Sequence, residues 1–426
     1  MVARRERVGN LDSRRVFGGG LLAIALGGAA LRLVYVLVLA RHVPDIGDAL
    51  VFHGQADLIA NGHGFSDPFG FVYGRDIPSA SHPPLYPLAM SVVALLGGTG
   101  ELPQRACGAL FGFGTIVLIG LIARRLGGPR AGLIAAGIAA VYPVLVAADG
   151  AMMSETLYGL LIAAALLTAL RLLDREPAPP LAAALGALVG LATLTRAEAL
   201  LLLPLLAWPV AARAQARRLL LAGASTVACL LVISPWVVRN AATFHEFTLS
   251  HNDATLLAGA NCHRTYHGID LGGWNLYCIS KRATPDEGKQ SARWRREGLR
   301  YTGRHVGRLA VVIPVRVMRT WDFWQPKRQV MFAESQARWA TKDGVAAYYV
   351  LLPLAIAGGW LIRRRRPELL VMLAPVVLVT IVSAIGYGVP RFRHPADISI
   401  VVLAAVTLDR APGLLRRLRR GAERTA

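Results

Sequence analysis

The sequence predicts an all-α, polytopic membrane protein, a helical bundle of about ten spans. First, of its 426 residues 54% are hydrophobic and only 17% are charged, and much of the apolar sequence falls in runs of roughly 20 residues, the length of a helix that crosses a bilayer. Second, the arginines behind the net charge of +21 cluster between these runs. The positive-inside rule explains such clusters, so the charge indicates membrane orientation rather than nucleic-acid binding.

The first predicted span covers residues 17–40 and follows a basic, and therefore cytoplasmic, start. It is too long for the apolar core of a cleaved signal peptide and has no clear small-residue cleavage site. Within it, Arg32 either snorkels to the interface or pairs with an acid inside the bundle. The loop that follows, residues 41–103, should lie outside, with an interfacial helix beginning near Asp48. Its last apolar piece, 84–96, is about 13 residues long, which suits an interfacial or re-entrant helix.

Charge parity orders the remaining spans so that every arginine cluster falls on the cytoplasmic side. The predicted spans are 104–123, 131–148, 156–173, 181–194, 198–212, 219–238, 345–362, 368–385 and 396–408. Both termini are then cytoplasmic, and the protein belongs in the cytoplasmic membrane. Three regions result: a catalytic membrane module (1–238), a large outer loop (239–344), and C-terminal spans with a basic cytoplasmic tail (345–426).

The large outer loop carries two further patterns. In residues 301–324 apolar side chains recur every three or four positions with arginines on another face, which predicts an interfacial helix kinked near Pro314. Cys262 and Cys278 lie in the same loop, where oxidation is expected. We favour a disulfide between them over a zinc site with the nearby histidines, because no pair of ligands has a familiar zinc spacing.

Acids, arginines and a histidine from distant segments meet on the predicted outer face. They are Asp45, Asp48, His82, Glu155, Arg196, Arg239, Arg391 and Arg393. This is the composition of a site for an anionic substrate with acid/base chemistry nearby. Structural roles compete with this interpretation: an acid in the first turn of a helix caps free N–H groups, and arginines at span ends pair with lipid headgroups.

The order of several short motifs resembles the C-type membrane glycosyltransferases (GT-C), and within them the bacterial family-39-like group related to protein O-mannosyltransferases and lipid A aminoarabinose transferases. The resemblance covers about residues 17–408. The motifs are ADLIANGHGF, HPPLYPLAM, SETLYGLL, GLATLTRAEALLLLPLL, SPWVVRN and PRFRHP.

This resemblance implies a membrane enzyme that moves a sugar from a polyprenyl-phosphate carrier to an envelope acceptor (lipid, glycan or protein) outside the cytoplasmic membrane, usually with inversion. Its implied partners are that donor, the acceptor and the lipid bilayer, without nucleic acid; no cofactor is certain, and a divalent cation is left open. Asp48 takes the place of the family's first-loop acid and Glu155 that of its second acidic position. His82 stands where the aminoarabinose transferases have a lysine before two prolines. Asp45 competes with Asp48, because many relatives have adjacent acids whereas these are three residues apart.

The chemistry of such a transfer assigns roles to the same residues. A lipid phosphate needs cations to hold its charge as the bond to the anomeric carbon breaks, and an acceptor hydroxyl needs a base, for which we choose Asp48. His53, Tyr86 and Asn240 are assigned to the acceptor and sugar pocket. The candidate phosphate ligands are His82, Arg196, Arg239, Arg391 and Arg393.

Two other classes of protein compete with the enzyme. A transporter or flippase of an anionic lipid-linked substrate should show internal repeats, broken helices and polar residues at mid-membrane. The sequence has no convincing repeat, and apart from Arg32 its spans are nearly free of mid-membrane charge. A membrane scaffold without catalysis leaves the gathered acids and arginines unexplained. The sequence therefore favours a glycosyltransferase.

Overall fold

A computed structural model of the chain describes residues 2–174, 178–213, 217–279, 286–331 and 334–425. These residues form helices and turns, with one isolated antiparallel bridge between Ser66 and Pro78 and no further strand pairing among them. The predicted all-α membrane class is confirmed. The basic stretch 212–218 of the sequence lies partly outside the described residues.

The described residues of the first half of the chain form ten α-helices. They are α1 (Val2–Val38), α2 (Asp48–Ala60), α3 (Pro68–Val72), α4 (Leu85–Leu95), α5 (Glu101–Gly127), α6 (Pro129–Val141), α7 (Pro143–Asp149), α8 (Glu155–Asp174), α9 (Pro179–Thr193) and α10 (Leu202–Arg213). The second half holds nine more. They are α11 (Arg218–Phe244), α12 (Asn252–Ala260), α13 (His263–Tyr266), α14 (Glu287–Arg304), α15 (Leu309–Thr320), α16 (Pro326–Met331), α17 (Arg338–Leu361), α18 (Arg366–Ile385) and α19 (His394–Thr425).

The protein is a multi-pass membrane protein. Among the described residues, six helices are long and apolar enough to cross a bilayer (α1, α5, α8, α11, α17 and α18), and the bent pair α6–α7 makes up to seven. The other predicted spans fall on α9, on α10 and on the start of α19. Since α9 has 15 residues and α10 has 12, neither reaches the length of about 20 residues that a span requires. Of the ten predicted spans, six or seven satisfy the criteria for a span among the described residues.

The bend between α6 and α7 explains the charge inside the first span. Pro143 has no N–H, so the carbonyl of Ala139 four residues earlier loses its helical donor. Arg32 of α1 replaces that donor at 3.0 Å, donates to the carbonyl of Ala140 at 2.9 Å, and pairs with Asp149 at the end of α7 at 2.5 Å. Of the two roles predicted for Arg32, pairing inside the bundle is therefore the one observed.

Successive long segments alternate in direction, so the bundle has two chemically different ends. At one end, Arg105 near the start of α5 donates to the carbonyl of Ala40 after α1. At the other, Arg125 near the end of α5 pairs with Asp174 at the end of α8. We call the first the polar end, because the segments after α1, α7, α9 and α18 all reach it. The arginine clusters 124–130 and 363–366 lie at the opposite end, which we call the basic end.

The kinked helix predicted over residues 301–324 is divided into separate elements. The chain there forms the last turn of α14, a 3₁₀ turn at Val306–Arg308, and α15, which contains Pro314. Gly303 and Gly307 flank the break, where their low helix propensity favours an interruption.

A small apolar cluster in this region is built on Tyr266, Leu271, Val312 and Val315. Beside it, Cys262 and Cys278 form the expected disulfide.

Candidate active site

Arg391 is the centre of an ion-pair cluster at the polar end. Its guanidinium lies 2.9 Å from Asp48 and 3.7 Å from Glu155, and it also pairs with Glu334. These partners come from α2, α8 and the segment before α17, far apart in sequence. Arg391 itself lies in a 3₁₀ turn, Pro390–Arg393, between α18 and α19. One guanidinium thus joins three carboxylates from three separate parts of the bundle.

The backbone before α2 sets the position of Asp48. Gly47 has φ +62° and ψ −126° at the start of the helix, a conformation that a side chain would disfavour. The N–H of Ile46 donates to Ser335 Oγ at 3.3 Å. Because Ser335 follows Glu334, this bond brings the second carboxylate of the cluster against the segment that carries the first.

His82 completes the surroundings of Asp48 from the opposite side. Its Nε2 lies 3.3 Å from Asp48 Oδ1, and its ring packs edge-on against Phe52 at 4.7 Å. The two prolines after His82 form a stiff turn, which the N–H of Leu85 anchors to the carbonyl of Leu194 at the end of α9. Asp48 is therefore held between a histidine and an arginine.

A second arginine extends the cluster towards α9 and α10. Arg196 donates to Glu155 at 2.9 Å and to Glu198 at 2.6 Å. Glu155 is buried at the first turn of α8, where two arginines meet its Oε1 while its Oε2 has no hydrogen-bond partner among the described residues. The structure thus brings together five of the predicted residues: Asp48, His82, Glu155, Arg196 and Arg391.

The pKa values of Asp48 and Glu334 shift in opposite directions. Burial raises the pKa of Asp48, but Arg391 and His82 outweigh it and lower that pKa below its usual range. Burial raises the pKa of Glu334 in spite of Arg391. Asp48 is therefore firmly ionised while both partners hold it, and Glu334 takes up a proton more readily than an ordinary glutamate does.

Asp45, the competitor for the role of base, lies in a different setting. Its side chain is 1% exposed and pairs with Arg105, whereas the Asp48 side chain is 28% exposed. Burial raises the pKa of Asp45 to about 6 in spite of Arg105. Asp45 has the higher proton affinity of the two acids, but Asp48 has the access that an acceptor hydroxyl needs.

Arg393 belongs to a neighbouring buried network rather than to the cluster of Arg391. It pairs with Asp322 at 2.5 Å and with Asp397 at 3.2 Å, and its guanidinium lies 3.6 Å from the centre of the Tyr348 ring. Asp397 also accepts from the hydroxyl of Tyr142 at 3.3 Å. This network ties the segment after α15 to α19 and to the bend between α6 and α7.

Two residues predicted for the site, Arg239 and Asn240, have structural contacts instead. Arg239 donates to the carbonyls of Ser79 and Phe65 at 3.0 and 3.1 Å, so it holds the first loop. Asn240 is fully buried and donates to the carbonyl of Thr248.

The two aromatic residues predicted for the pocket, His53 and Tyr86, also make contacts outside the cluster. His53 contacts Gln104 at 3.1 Å and Asp57 at 3.6 Å. Tyr86 is buried and packs edge-on against Phe52, with ring centres 5.0 Å apart.

A cavity opens beside Arg391. Asp48 and His82 are not among the residues that line it. The lining residues are Val144, Ala148, Glu155, Asp322, Gln329, Glu334, Gln336, Thr341, Val345, Val389, Pro390, Arg391, Arg393 and His394.

The acids of the cluster do not fit a metal ion. Among the described residues, no group of three or more His, Cys, Asp or Glu side chains is arranged to hold one. The guanidinium of Arg391 stands where the carboxylates of Asp48, Glu155 and Glu334 converge. Among the described residues no such group occurs near Cys262 and Cys278 either, where zinc was the alternative to a disulfide. His263 and His267 stack on each other there, with ring centres 4.8 Å apart.

Three charged residues of this region were missed from the sequence. Glu334 and Asp322 lie in the stretch predicted as a large polar loop, where an acid is ordinarily solvated, and Asp397 follows PRFRHP by two residues. A signal existed only for Asp397, which stands four residues after Arg393, the spacing of an ion pair on a helix. Nothing local marks Glu334 and Asp322, because their partners are 57 and 71 residues away in sequence.

Sequence comparison gives a family match over part of the chain. Residues 81–238 match the dolichyl-phosphate-mannose-protein mannosyltransferase family. These residues include His82, Glu155 and Arg196 of the site. No curated protein sequence matches the chain.

Solved structures share the fold. The archaeal oligosaccharyltransferase AglB from Archaeoglobus fulgidus, solved with an inhibitory peptide and a dolichol-phosphate, matches 97% of this chain with a TM-score of 0.53 and 16% identity. The apo form of the Archaeoglobus fulgidus enzyme matches 95% with a TM-score of 0.57 and 15% identity. The chain covers 52% of each, so it spans about half the length of these proteins. ArnT from Cupriavidus metallidurans, solved with undecaprenyl phosphate, gives a TM-score of 0.46 at 17% identity, over 90% of this chain and 77% of that one.

The predicted assignment to the GT-C superfamily is confirmed: the chain has a GT-C fold, and over residues 81–238 the likeness extends to the sequence.

Proposed function

We propose that the protein is a GT-C glycosyltransferase that transfers a sugar from a polyprenyl-phosphate donor to an acceptor hydroxyl, with inversion and with Asp48 as the base. The observation that carries the proposal is the contact between Arg391 and Asp48 at 2.9 Å, beside an open cavity. The contact supports a pairing of a cation suited to a phosphate with a carboxylate suited to a hydroxyl. The family match over 81–238 and the dolichol-phosphate bound to AglB support a lipid-linked donor.

The side of the membrane follows from charge. The arginine clusters at the basic end favour a cytoplasmic location for that end, which puts the polar end and its cluster on the outer face of the cytoplasmic membrane with both termini inside. A donor anchored by a polyprenyl chain can reach such a site from the bilayer, and the acceptor is then a lipid, glycan or protein of the envelope.

The proposed reaction forms one bond and breaks one. The acceptor oxygen bonds to the anomeric carbon, the bond from that carbon to the phosphate oxygen breaks, and its electron pair leaves with the polyprenyl phosphate. The acceptor proton passes to Asp48, a contribution of roughly 10²- to 10⁴-fold to the rate. Arg391 stabilises the charge that develops on the phosphate. Attack from the face opposite the leaving phosphate gives inversion.

Arg391 links the two halves of this reaction. While it pairs with Asp48, it lowers the pKa of that carboxylate and so weakens it as a base. When a donor phosphate draws the guanidinium to itself, Asp48 loses part of this stabilisation and its proton affinity rises. The base is then strongest when the donor is in place, which keeps acceptor activation coupled to a bound donor.

The test is sugar transfer in reconstituted membranes with a panel of radiolabelled polyprenyl-phosphate sugars. We expect Asp48→Asn to lower transfer by two or more orders of magnitude with the fold retained, because the amide cannot take the acceptor proton. Asp57→Asn is the matched control: it removes a half-exposed acid from the same helix that pairs with His53, and it should transfer normally. Glu155→Gln is measured alongside, because Glu155 is the second predicted acid of the cluster and pairs with Arg196 and Arg391.

Other outcomes discriminate between the alternatives. If Asp45→Asn abolishes transfer in a folded protein while Asp48→Asn does not, the protein is an enzyme with Asp45 as its base. If no donor in the panel is consumed and lipid-linked sugar crosses the bilayer unaltered, the protein is a transporter and not a glycosyltransferase.

A further inference from the structure

Three exposed arginines of α14 follow each other at intervals of four residues. Arg296, Arg300 and Arg304 therefore lie along one side of the helix, and we call them the basic stripe. Among the described residues none of the three has a carboxylate partner, because the nearby acids pair with other arginines. Those pairs are Glu297–Arg293, Glu246–Arg295, Asp253–Arg295 and Asp270–Arg328. The stripe is thus a local excess of positive charge on the protein surface.

The next helix, α15, is apolar on both its buried and its exposed side. Val312 is fully buried in the small apolar cluster. Val311 and Ile313 are nevertheless 41% and 37% exposed, and Ala310 is exposed beside them. A helix that is apolar all round belongs in an apolar surrounding. The exposed side of α15 therefore favours contact with lipid acyl chains over contact with water.

The position of α15 in the fold agrees with such a contact. Arg316 donates to the carbonyls of Ala384 and Ile385 at the end of the span α18, at 3.3 and 3.2 Å. Ser383 donates to Thr320 at 2.8 Å in the same region. The side chain of Ile385 is 65% exposed, as expected where a span borders lipid. α15 thus lies where α18 reaches the polar end, and the basic stripe precedes it by one 3₁₀ turn.

We propose that the basic stripe and the exposed side of α15 form a binding site for anionic phospholipids in the leaflet at the polar end. The apolar side of α15 contacts the acyl chains, and the guanidinium groups of the stripe bind the headgroup phosphates. A zwitterionic headgroup adds a cation that the stripe repels, so the site prefers anionic lipids. The positive-inside rule accounts for the arginines of the basic end, whereas this site accounts for arginines on the opposite side. No sugar donor takes part, so the proposal stands independently of the proposed function.

The experiment measures the quenching of a fluorophore on α15 by lipids with brominated acyl chains, with the whole chain in nanodiscs. The fluorophore is attached through Ala310→Cys in a protein whose free cysteines, Cys107 and Cys229, are replaced by alanine. The nanodiscs contain equal amounts of phosphatidylglycerol and phosphatidylcholine, and only one of the two lipids is brominated. We expect brominated phosphatidylglycerol to quench at least about twice as strongly as brominated phosphatidylcholine.

Variants at exposed side chains assign the preference to the stripe. Arg300→Gln/Arg304→Gln should bring the quenching ratio of the two lipids to about one, with overall quenching retained because α15 stays in the bilayer. Arg300→Lys/Arg304→Lys keeps the charges and should keep the preference. Arg364→Gln/Arg366→Gln, at exposed arginines of the basic end, is the matched control and should not change the ratio. A fluorophore at Leu231→Cys, on the lipid-facing side of α11 where Leu231 is 67% exposed, should show no preference.

Several results would overturn the proposal. If neither lipid quenches the fluorophore at position 310, α15 lies outside the bilayer. If both lipids quench equally with the stripe intact, or the preference survives Arg300→Gln/Arg304→Gln, the stripe does not select anionic lipids. If sugar-free polyprenyl phosphate in equimolar amount with the protein abolishes the preference, the site belongs to that carrier lipid and not to phospholipids. None of these results involves sugar transfer, so the glycosyltransferase is tested separately.

Discussion

At the scale of single residues, Asp48 combines two properties that usually conflict. It is accessible enough to meet a substrate, yet Arg391 and His82 hold its pKa below the usual range. A carboxylate of lowered pKa stays ionised, and therefore competent to accept a proton, down to a lower pH than an ordinary aspartate of about 3.9. In the proposed reaction, the same partners weaken Asp48 as a base until the donor phosphate draws Arg391 away. Asp48 would then be a weak base in the free protein and a stronger one when the donor is bound.

This predicts the acid limb of the pH profile. In the wild type, kcat/KM should show no loss from protonation of Asp48 until the pH falls below about 4. His82→Gln removes one of the partners that lower the pKa, so the pKa rises and the acid limb moves to higher pH. His245→Gln, at an exposed histidine outside the cluster, should leave the limb in place. An acid limb at the same pH in His82→Gln and the wild type would contradict the assignment of Asp48.

Glu334 provides a second prediction, because it pairs with the guanidinium of Arg391, which is proposed to bind the donor phosphate. Glu334→Gln removes this competing carboxylate and should tighten binding of sugar-free polyprenyl phosphate about two- to fivefold, the equivalent of about 0.4 to 1 kcal/mol for a partly exposed ion pair. Burial raises the pKa of Glu334, so the wild type should also bind phosphate more tightly as the pH falls and Glu334 is neutralised.

The control for Glu334 is another ion-paired glutamate. Glu297→Gln breaks the pair with Arg293 on α14, where both side chains are 35% exposed, and should not alter phosphate binding. The pH dependence should disappear in Glu334→Gln alone. Weaker binding in Glu334→Gln would mean that Glu334 contacts the donor itself instead of competing with it.

At the scale of elements, the turn before α2 decides where Asp48 lies. A Cβ on Gly47 would find ordinary van der Waals room, with Glu334 3.8 Å away, so Gly47→Ala costs only the backbone strain of its positive φ, about 1 to 3 kcal/mol. We expect lower thermal stability and a lower kcat, because relief of the strain moves Asp48 from Arg391. Thermal unfolding and transfer assays measure the two effects.

Gly62→Ala is a matched comparison at the other end of α2. Gly62 has φ +85° and no atom within 4 Å of a built Cβ, so the substitution carries a similar strain without contacts to the cluster. It should lower stability and leave kcat unchanged. If both variants lose kcat equally, the effect comes from α2 as a whole and not from the position of Asp48.

What the sequence could predict at this scale depended on how local the signal was. Long apolar runs and arginine clusters located the long helices, since hydropathy is a property of one segment. The start of α2 near Asp48 and the short helix α4 followed from local patterns too. The break at the 3₁₀ turn Val306–Arg308 was not predicted, because an apolar spacing of three to four residues continues across it. Partner choice could not be predicted: the separation of Arg391 from Asp48 is 343 residues.

At the scale of the whole molecule, alternating helices bring the segments after α1, α7, α9 and α18 to one end, so that residues distant in sequence share one cluster. The fold also explains why arginines predicted together behave differently. Arg391 and Arg393 are two residues apart in a 3₁₀ turn. Arg391 pairs with Asp48 of α2 and Glu155 of α8. Arg393 pairs with Asp322 after α15 and Asp397 of α19. A motif such as PRFRHP therefore serves two networks at once.

The last prediction concerns which side of the membrane the cluster faces. In a variant without free cysteines, a single cysteine at exposed Thr99, at the polar end, should react with a membrane-impermeant thiol reagent in intact cells. One at exposed Arg364, at the basic end, should react only after permeabilisation. The reverse pattern would place the cluster in the cytoplasm, where soluble nucleotide sugars are available and a lipid-linked donor is unnecessary. The expected pattern leaves only donors that cross or diffuse within the bilayer. A polyprenyl-phosphate sugar is such a donor, and Arg391 is the residue proposed to bind its phosphate.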